Sequence, residues 1–239
     1  MIEQEDKSKL FIPIAIVVAG IVIAFAIFFN SADKVPAVPT NDGNDEVASP
    51  QEVAVTPVTE DDHILGNPDA ELIVVEYSDY ECPFCARFHP TMEQIIEEYG
   101  ADGKVAWVYR HFPLQIHPDA RPAAEASECV AELGGNTAFW DYSKTLFEGA
   151  PNSLTTAKLQ SAAVAQGIDE AAYTSCVEEG RYAGKVQKMY NDGLAIAQAD
   201  PQFGTPYSII IRKDGTQAVI PGAQPYSVVK QVIDAMLTE

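Results

Sequence analysis

The sequence predicts an α/β head with the order βαβ, an all-helical insert, then ββα, preceded by an N-terminal transmembrane helix. Three observations predict it. First, the apolar run Leu72-Ile73-Val74-Val75-Glu76-Tyr77 reads as a strand and delivers Cys82-Pro83-Phe84-Cys85 to the start of a helix. Second, Lys104–Arg110 reads as another strand, and strand, helix, strand at this spacing is a parallel βαβ unit. Third, Tyr207–Arg212 and Thr216–Ile220 flank the turn Lys213-Asp214-Gly215, which is hairpin chemistry, and Tyr226–Leu237 reads as a closing helix.

Taken in order, the chain begins with residues 1–9, expected in the cytoplasm. Leu10 to Phe29 is a run of 20 residues without a charge. As a helix it reaches about 30 Å, the thickness of a bilayer core. Pro13 falls in its first turn, where a missing N–H costs little. Lys7 and Lys9 precede the run and Lys34 follows it, so the positive-inside rule sends everything after Asn30 to the outside. A cleaved signal peptide has an apolar core of about 7–15 residues and a small-x-small cleavage site. This run is longer, and Asn30-Ser31-Ala32 is a poor site, so the expectation is an uncleaved anchor in the cell membrane.

Residues 30–62 are expected to be a disordered linker. From 31 to 62 there are eight acids, one Lys, four prolines and no aromatic residue. Such a stretch buries too little apolar surface to fold by itself. Residues 63–239 then suffice for one domain with a sizeable core. The formal charge of −20 argues against a nucleic-acid partner and favours solubility.

Within the head, Cys82–Tyr99 has Phe88, Met92, Ile95, Ile96 and Tyr99 at helical spacing and stops at Gly100. The insert, about residues 113–200, reads as helices over Asp119–Leu133, stopped by Gly134-Gly135, and Thr137–Glu148. Three more follow near Thr155–Gln166, Asp169–Glu179 and Tyr182–Ala199.

Cys82 would open its helix where the N-terminal partial charge favours thiolate, the species that attacks disulfides. Cys85, one turn on, can close back on it. A zinc half-site is the alternative, but it needs a second pair at ligand spacing, and Cys129 and Cys176 stand alone. Glu76 is either a solvated carboxylate at an edge or a buried acid. Cys129 and Cys176 are either free core thiols or a structural bridge, and an oxidising compartment favours the bridge. His63, His89, His111 and His117 are too widely separated for a metal motif, His89 reads as a surface residue, and none is assigned a catalytic role.

Four segments carry a resemblance: Val75 to Cys85, Arg110-His111-Phe112-Pro113-Leu114, Gly204-Thr205-Pro206 and Gly222-Ala223-Gln224-Pro225. In this order the head resembles the DsbA-like thiol:disulfide oxidoreductases, a thioredoxin-like fold with a helical insertion. The resemblance implies that Cys82 is the exposed attacking thiol and Cys85 the buried resolving one. It implies a cis bond between Thr205 and Pro206, facing the pair and forming, with Pro83 and Phe84, a surface for an extended client chain. It places a buried, proton-relaying acid at Glu76. Strongly oxidising relatives often carry His where this chain has Phe84, so a less extreme potential is expected here. No cofactor beyond the cysteine pair and no metal is expected. The expected partners are reduced or unfolded exported proteins and a membrane redox partner that reoxidises the pair, with a monomeric head. A reductase or isomerase kept reduced by a membrane donor, or a non-catalytic peptide-binding chaperone, are the alternatives.

Overall fold

In the computed structural model, residues 53–150 and 154–238 are described. The expected anchor at 10–29, the cytoplasmic residues before it and most of the linker lie outside them. No helix among the described residues is long and apolar enough to cross a membrane.

The sheet has five strands: β1 (His63–Leu65), β2 (Leu72–Ser78), β3 (Val105–His111), β4 (Tyr207–Arg212) and β5 (Gln217–Pro221). Their spatial order is β1-β3-β2-β4-β5. The pair β2–β3 is parallel, and β1–β3, β2–β4 and β4–β5 are antiparallel. Helix α1 (Pro83–Tyr99) makes the crossover from β2 to β3, and α6 (Tyr226–Thr238) closes the chain. The insert is α2 (Ala120–Gly149), α3 (Thr156–Ala165), α4 (Glu170–Glu178) and α5 (Ala183–Ala199). The two helices expected on either side of Gly134-Gly135 run on as one element, kinked at Gly135, whose φ of 80° is outside the helical range. Helix α1 also contains Pro90, which forgoes one helical hydrogen bond.

Central position explains the apolar character of β2. It lies between β3 and β4 and is covered on both faces, so both residue parities are buried. Leu72 and Val74 pack with α1, α6 and the insert, whereas Val75 and Tyr77 pack with Ile196 of α5 and Ile209 of β4. Strand alternation therefore turns Glu76 toward the α1 side, where the two cysteines lie.

Two departures from expectation share a cause in long-range contacts. His63–Leu65 is a strand that the expected βαβ–ββα order does not include, and it forms because it finds a partner in β3 through His63↔Tyr109 and Leu65↔Trp107. The linker does not run free to residue 62. The Val53 N–H donates to Gln217 Oε1 at 2.9 Å, and Arg110 gathers the segment behind it. The Arg110 guanidinium donates to both Asp62 carboxylate oxygens at 2.9 and 3.1 Å, and to the carbonyls of Thr56 and Pro57 at 2.8 and 3.2 Å.

A buried charge cluster lies where β1, β3, α2 and α5 meet. Glu128 accepts from His63 Nε2 at 2.9 Å, His111 Nε2 at 3.1 Å and Lys185 Nζ at 2.7 Å. Sequence spacing gave no sign of this convergence of histidines; strand pairing creates it. Two imidazoles and a carboxylate this close also form a metal-ligand set. Here Lys185 already balances the carboxylate. Burial opposes charge on Glu128, but the histidine donors outweigh it and hold its carboxyl well below the usual range.

Candidate active site

The redox pair sits at the N-terminus of α1. Cys82 is the cap residue in extended conformation, Pro83 is the first helical residue, and the Cys82 carbonyl accepts from the Ala86 N–H at 3.1 Å. Proline fits there because its missing N–H would lack a helical partner anyway. Both cysteines are free thiols. Cys82 was expected to be exposed, yet it is only 3% accessible. The reason is the loop before β4: the Thr205–Pro206 bond is cis, and the Thr205 carbonyl lies 3.4 Å from Cys82 Sγ. Phe84, in contrast, is 53% exposed, with the Arg87 guanidinium over its ring at 4.8 Å.

The two thiols ionise very differently. The hydrogen bond from Cys85 is the largest influence on Cys82. Burial opposes it, while Thr205 and the backbone N–H groups of Cys85 and Phe84 add to it, and the thiol is lowered to about 6. Burial pushes the Cys85 thiol well up, reinforced by the Cys82 charge and by Glu76. Glu76 is buried, and its Oε2 accepts from Trp107 Nε1 at 2.9 Å. Desolvation raises its carboxyl to about 7 against the hydrogen bonds from Ser78 and Trp107.

Cys129 of α2 and Cys176 of α4 form a disulfide within the insert, remote in sequence from the redox pair. His89 is buried, tilted against Trp107 and Phe147, and desolvation lowers its imidazole to about 3. The surface position expected for it is therefore wrong. Its place on α1, four residues after Cys85, turns it toward the insert.

Sequence reasoning missed Asp79. Its Oδ1 accepts from the Glu81 N–H at 2.7 Å, and its Oδ2 from the Leu114 N–H at 2.8 Å, with His117 Nδ1 also at 2.8 Å. Its carbonyl accepts from the Cys82 N–H at 3.1 Å. Glu81 Oε2 accepts from the Asp119 N–H at 2.8 Å. The loop after β3 is thus clipped to the loop that carries Cys82. An acid three residues before a cysteine at a strand end was the available signal, but it did not name its partners.

The family model described as thioredoxin matches residues 58–235. The chain belongs to this thioredoxin family. Among solved structures it is similar to BdbD from Bacillus subtilis in its oxidised form, 26% identical, with a TM-score of 0.64, covering 79% of this chain and 99% of that one. It is also similar to alpha-DsbA1 of Wolbachia pipientis, 23% identical, with a TM-score of 0.65, covering 77% and 94%. The Na(+)/H(+) antiporter NhaA 1 of Mycobacterium sp. (strain KMS) is 35% identical over 167 residues, 68% of this chain and 26% of that protein. The chain thus spans about a quarter of the length of this curated relative. The chain thus shares its family and fold with these proteins, and its two free thiols, Cys82 and Cys85, stand together at the start of α1.

Proposed function

We propose that the chain donates a Cys82–Cys85 disulfide to reduced, unfolded exported proteins, on the outer side of a membrane to which residues 10–29 anchor it. The observation that carries this reading is the environment of Cys82. Its sulfur meets donors from Cys85, Thr205 and the first N–H groups of α1, and its thiol falls to about 6. Stabilising the thiolate stabilises the reduced pair, which makes the disulfide a stronger oxidant.

A client thiolate attacks Cys82 Sγ. A client–Cys82 bond forms, the Cys82–Cys85 bond breaks, and its electron pair goes to Cys85. Cys85 takes up a proton, since its thiol lies well above the ordinary value. Glu76, raised to about 7 and buried beside it, supplies that proton. A second client thiolate then attacks the client sulfur, and Cys82 leaves as thiolate. The client is oxidised by two electrons and the pair is reduced by two. A quinone-linked membrane partner takes those electrons back. Thr205, Pro206, Pro83 and the exposed Phe84 form the surface against which the client chain lies. The head works as a monomer, with no metal and no cofactor beyond its cysteines.

Equilibration with glutathione tests the direction. The couple should lie between roughly −270 mV, the thioredoxin value, and roughly −120 mV, that of the strongest oxidant. A value more reducing than thioredoxin would establish a reductase instead. Cys85→Ala should accumulate client proteins disulfide-linked to Cys82, because the intramolecular escape is gone. Trapping on Cys82→Ala would reverse the two roles.

A further inference from the structure

The Cys82 turn is rich in carboxylates. Asp79 and Glu81 lie within three residues before Cys82, and Glu76 acts electrostatically on both thiols. Negative charge there opposes a thiolate. Within the motif, Pro83 and Phe84 offer no side chain that could answer it. Arg87 on α1 directs its guanidinium onto the Phe84 ring. His117, in the loop between β3 and α2, is placed differently. Its Nδ1 is 2.8 Å from Asp79 Oδ2, and its ring is only 17% exposed, so Asp79 fixes its place. The loop is pinned on both sides of it, by the Leu114 N–H on Asp79 and the Asp119 N–H on Glu81. Asp79 itself is buried and carries the Cys82 N–H on its carbonyl, so nucleophile and imidazole share one rigid support.

We propose that His117 is the positioning residue that supplies positive charge to the Cys82 thiolate from outside the Cys-x-x-Cys motif, oriented for that purpose by Asp79. This rests on the reading of Cys82 as the attacking thiol. Burial disfavours the imidazolium, but Asp79, the Cys82 thiolate and Glu81 outweigh it, and the group is raised above its ordinary value. The groups facing it are Asp79 and Glu81 from the loop after β2 and Cys82 from the cap of α1, with Asp119 on its own segment. In the exchange, His117 eases the step in which Cys82 leaves the mixed disulfide as thiolate. Once the Cys82–Cys85 bond re-forms, the thiolate charge is gone and the imidazole binds its proton less tightly.

Two measurements on the full chain test this. His117→Gln keeps a donor toward Asp79 and removes the charge. It should raise the Cys82 pKa, read from alkylation rate against pH, by about one unit, a tenfold change in proton affinity. With Cys82 at about 6 in the wild type, its thiolate fraction at pH 6.5 falls from about three-quarters to about a quarter, so the equilibrium constant for oxidising glutathione should fall about threefold there, which is about 15 mV for a two-electron couple. Above the His117 pKa the wild-type imidazole is neutral, so the gap from the variant should close. The second measurement needs no variant. By linkage, the imidazole NMR titration of His117 must sit higher in the reduced chain than in the oxidised one, by as much as the variant shifts Cys82. If His117 titrates identically in both redox states, or if a folded His117→Gln leaves a low Cys82 pKa unchanged, the proposal is wrong while the oxidase reading stands. A wild-type Cys82 with the ordinary thiol pKa of about 8.5 overturns both.

Discussion

Glu76 shows what one buried carboxyl does to the whole head. Its carboxyl has an ordinary value of 4.5 and is raised to about 7, chiefly by desolvation. Between those values the folded protein keeps a proton that the unfolded chain has lost, so this group's stabilising contribution is complete below 4.5 and declines as pH rises toward 7. At about 1.4 kcal/mol per pKa unit, the charged form costs roughly 3 kcal/mol at pH 8. Glu76→Gln removes that cost while leaving an oxygen for Trp107. Urea unfolding should find the variant more stable by about 2–3 kcal/mol at pH 8 and equal to wild type near pH 4. A gap independent of pH would show that desolvation is not the cause. The expected cost to function is slower protonation of Cys85 during exchange.

At the scale of elements, α5 covers the face of the sheet opposite α1, and Gly193 sets how closely. A Cβ there would meet the Phe112 ring at 2.5 and 2.8 Å and Tyr77 at 3.1 Å. Both rings are buried and held by neighbours: Phe112 stacks on Tyr190, and Phe203 packs edge-on to both Phe112 and Tyr77. Gly193→Ala gains up to about 1 kcal/mol of helix propensity. It loses about 1–3 kcal/mol to overpacking, because rings in this stack cannot move aside singly. The net expectation is destabilisation by about 1–2 kcal/mol, visible as a lower urea midpoint with unchanged slope. A more stable variant would mean that α5 slides freely on the sheet. The insert has a separate restraint in Cys129–Cys176, with a sequence separation of 47. Closing a loop of that size is worth about 4 kcal/mol in the chain-entropy model.

For the whole molecule, the join between head and linker depends on Arg110. Its guanidinium is buried in β3 and donates to Asp62, Thr56, Pro57 and the Tyr77 hydroxyl. Arg110→Ala leaves the Asp62 carboxylate without its partner, a loss of about 3–5 kcal/mol for a buried pair. Limited proteolysis with mass mapping should find new cuts between Val53 and Asp62 ahead of any cut in the sheet. Protection equal to wild type would show that β1 pairing alone holds the segment.

Local chemistry by itself determined the order of elements from β2 onward, the helix that opens at Cys82, the hairpin turn at Lys213-Asp214-Gly215 and the candidate pair Cys82 and Cys85. Each of these is written within a few consecutive residues as periodicity, turn chemistry or a short motif. Glu76 was legible as an anomaly in an apolar strand, but its burial was decided by the central place of β2. Contacts between distant segments decided the rest. His63–Leu65 is too short to declare itself and becomes a strand only because β3 offers an edge. Glu128, His63, His111 and Lys185 converge although no spacing relates them. The cover over Cys82 comes from Thr205, and the imidazole paired with Asp79 comes from the loop after β3. A sequence states what each segment can form with its neighbours in the chain. Which charges are buried, and which side chains from distant segments meet, follows from packing, because desolvation and hydrogen bonding act across space.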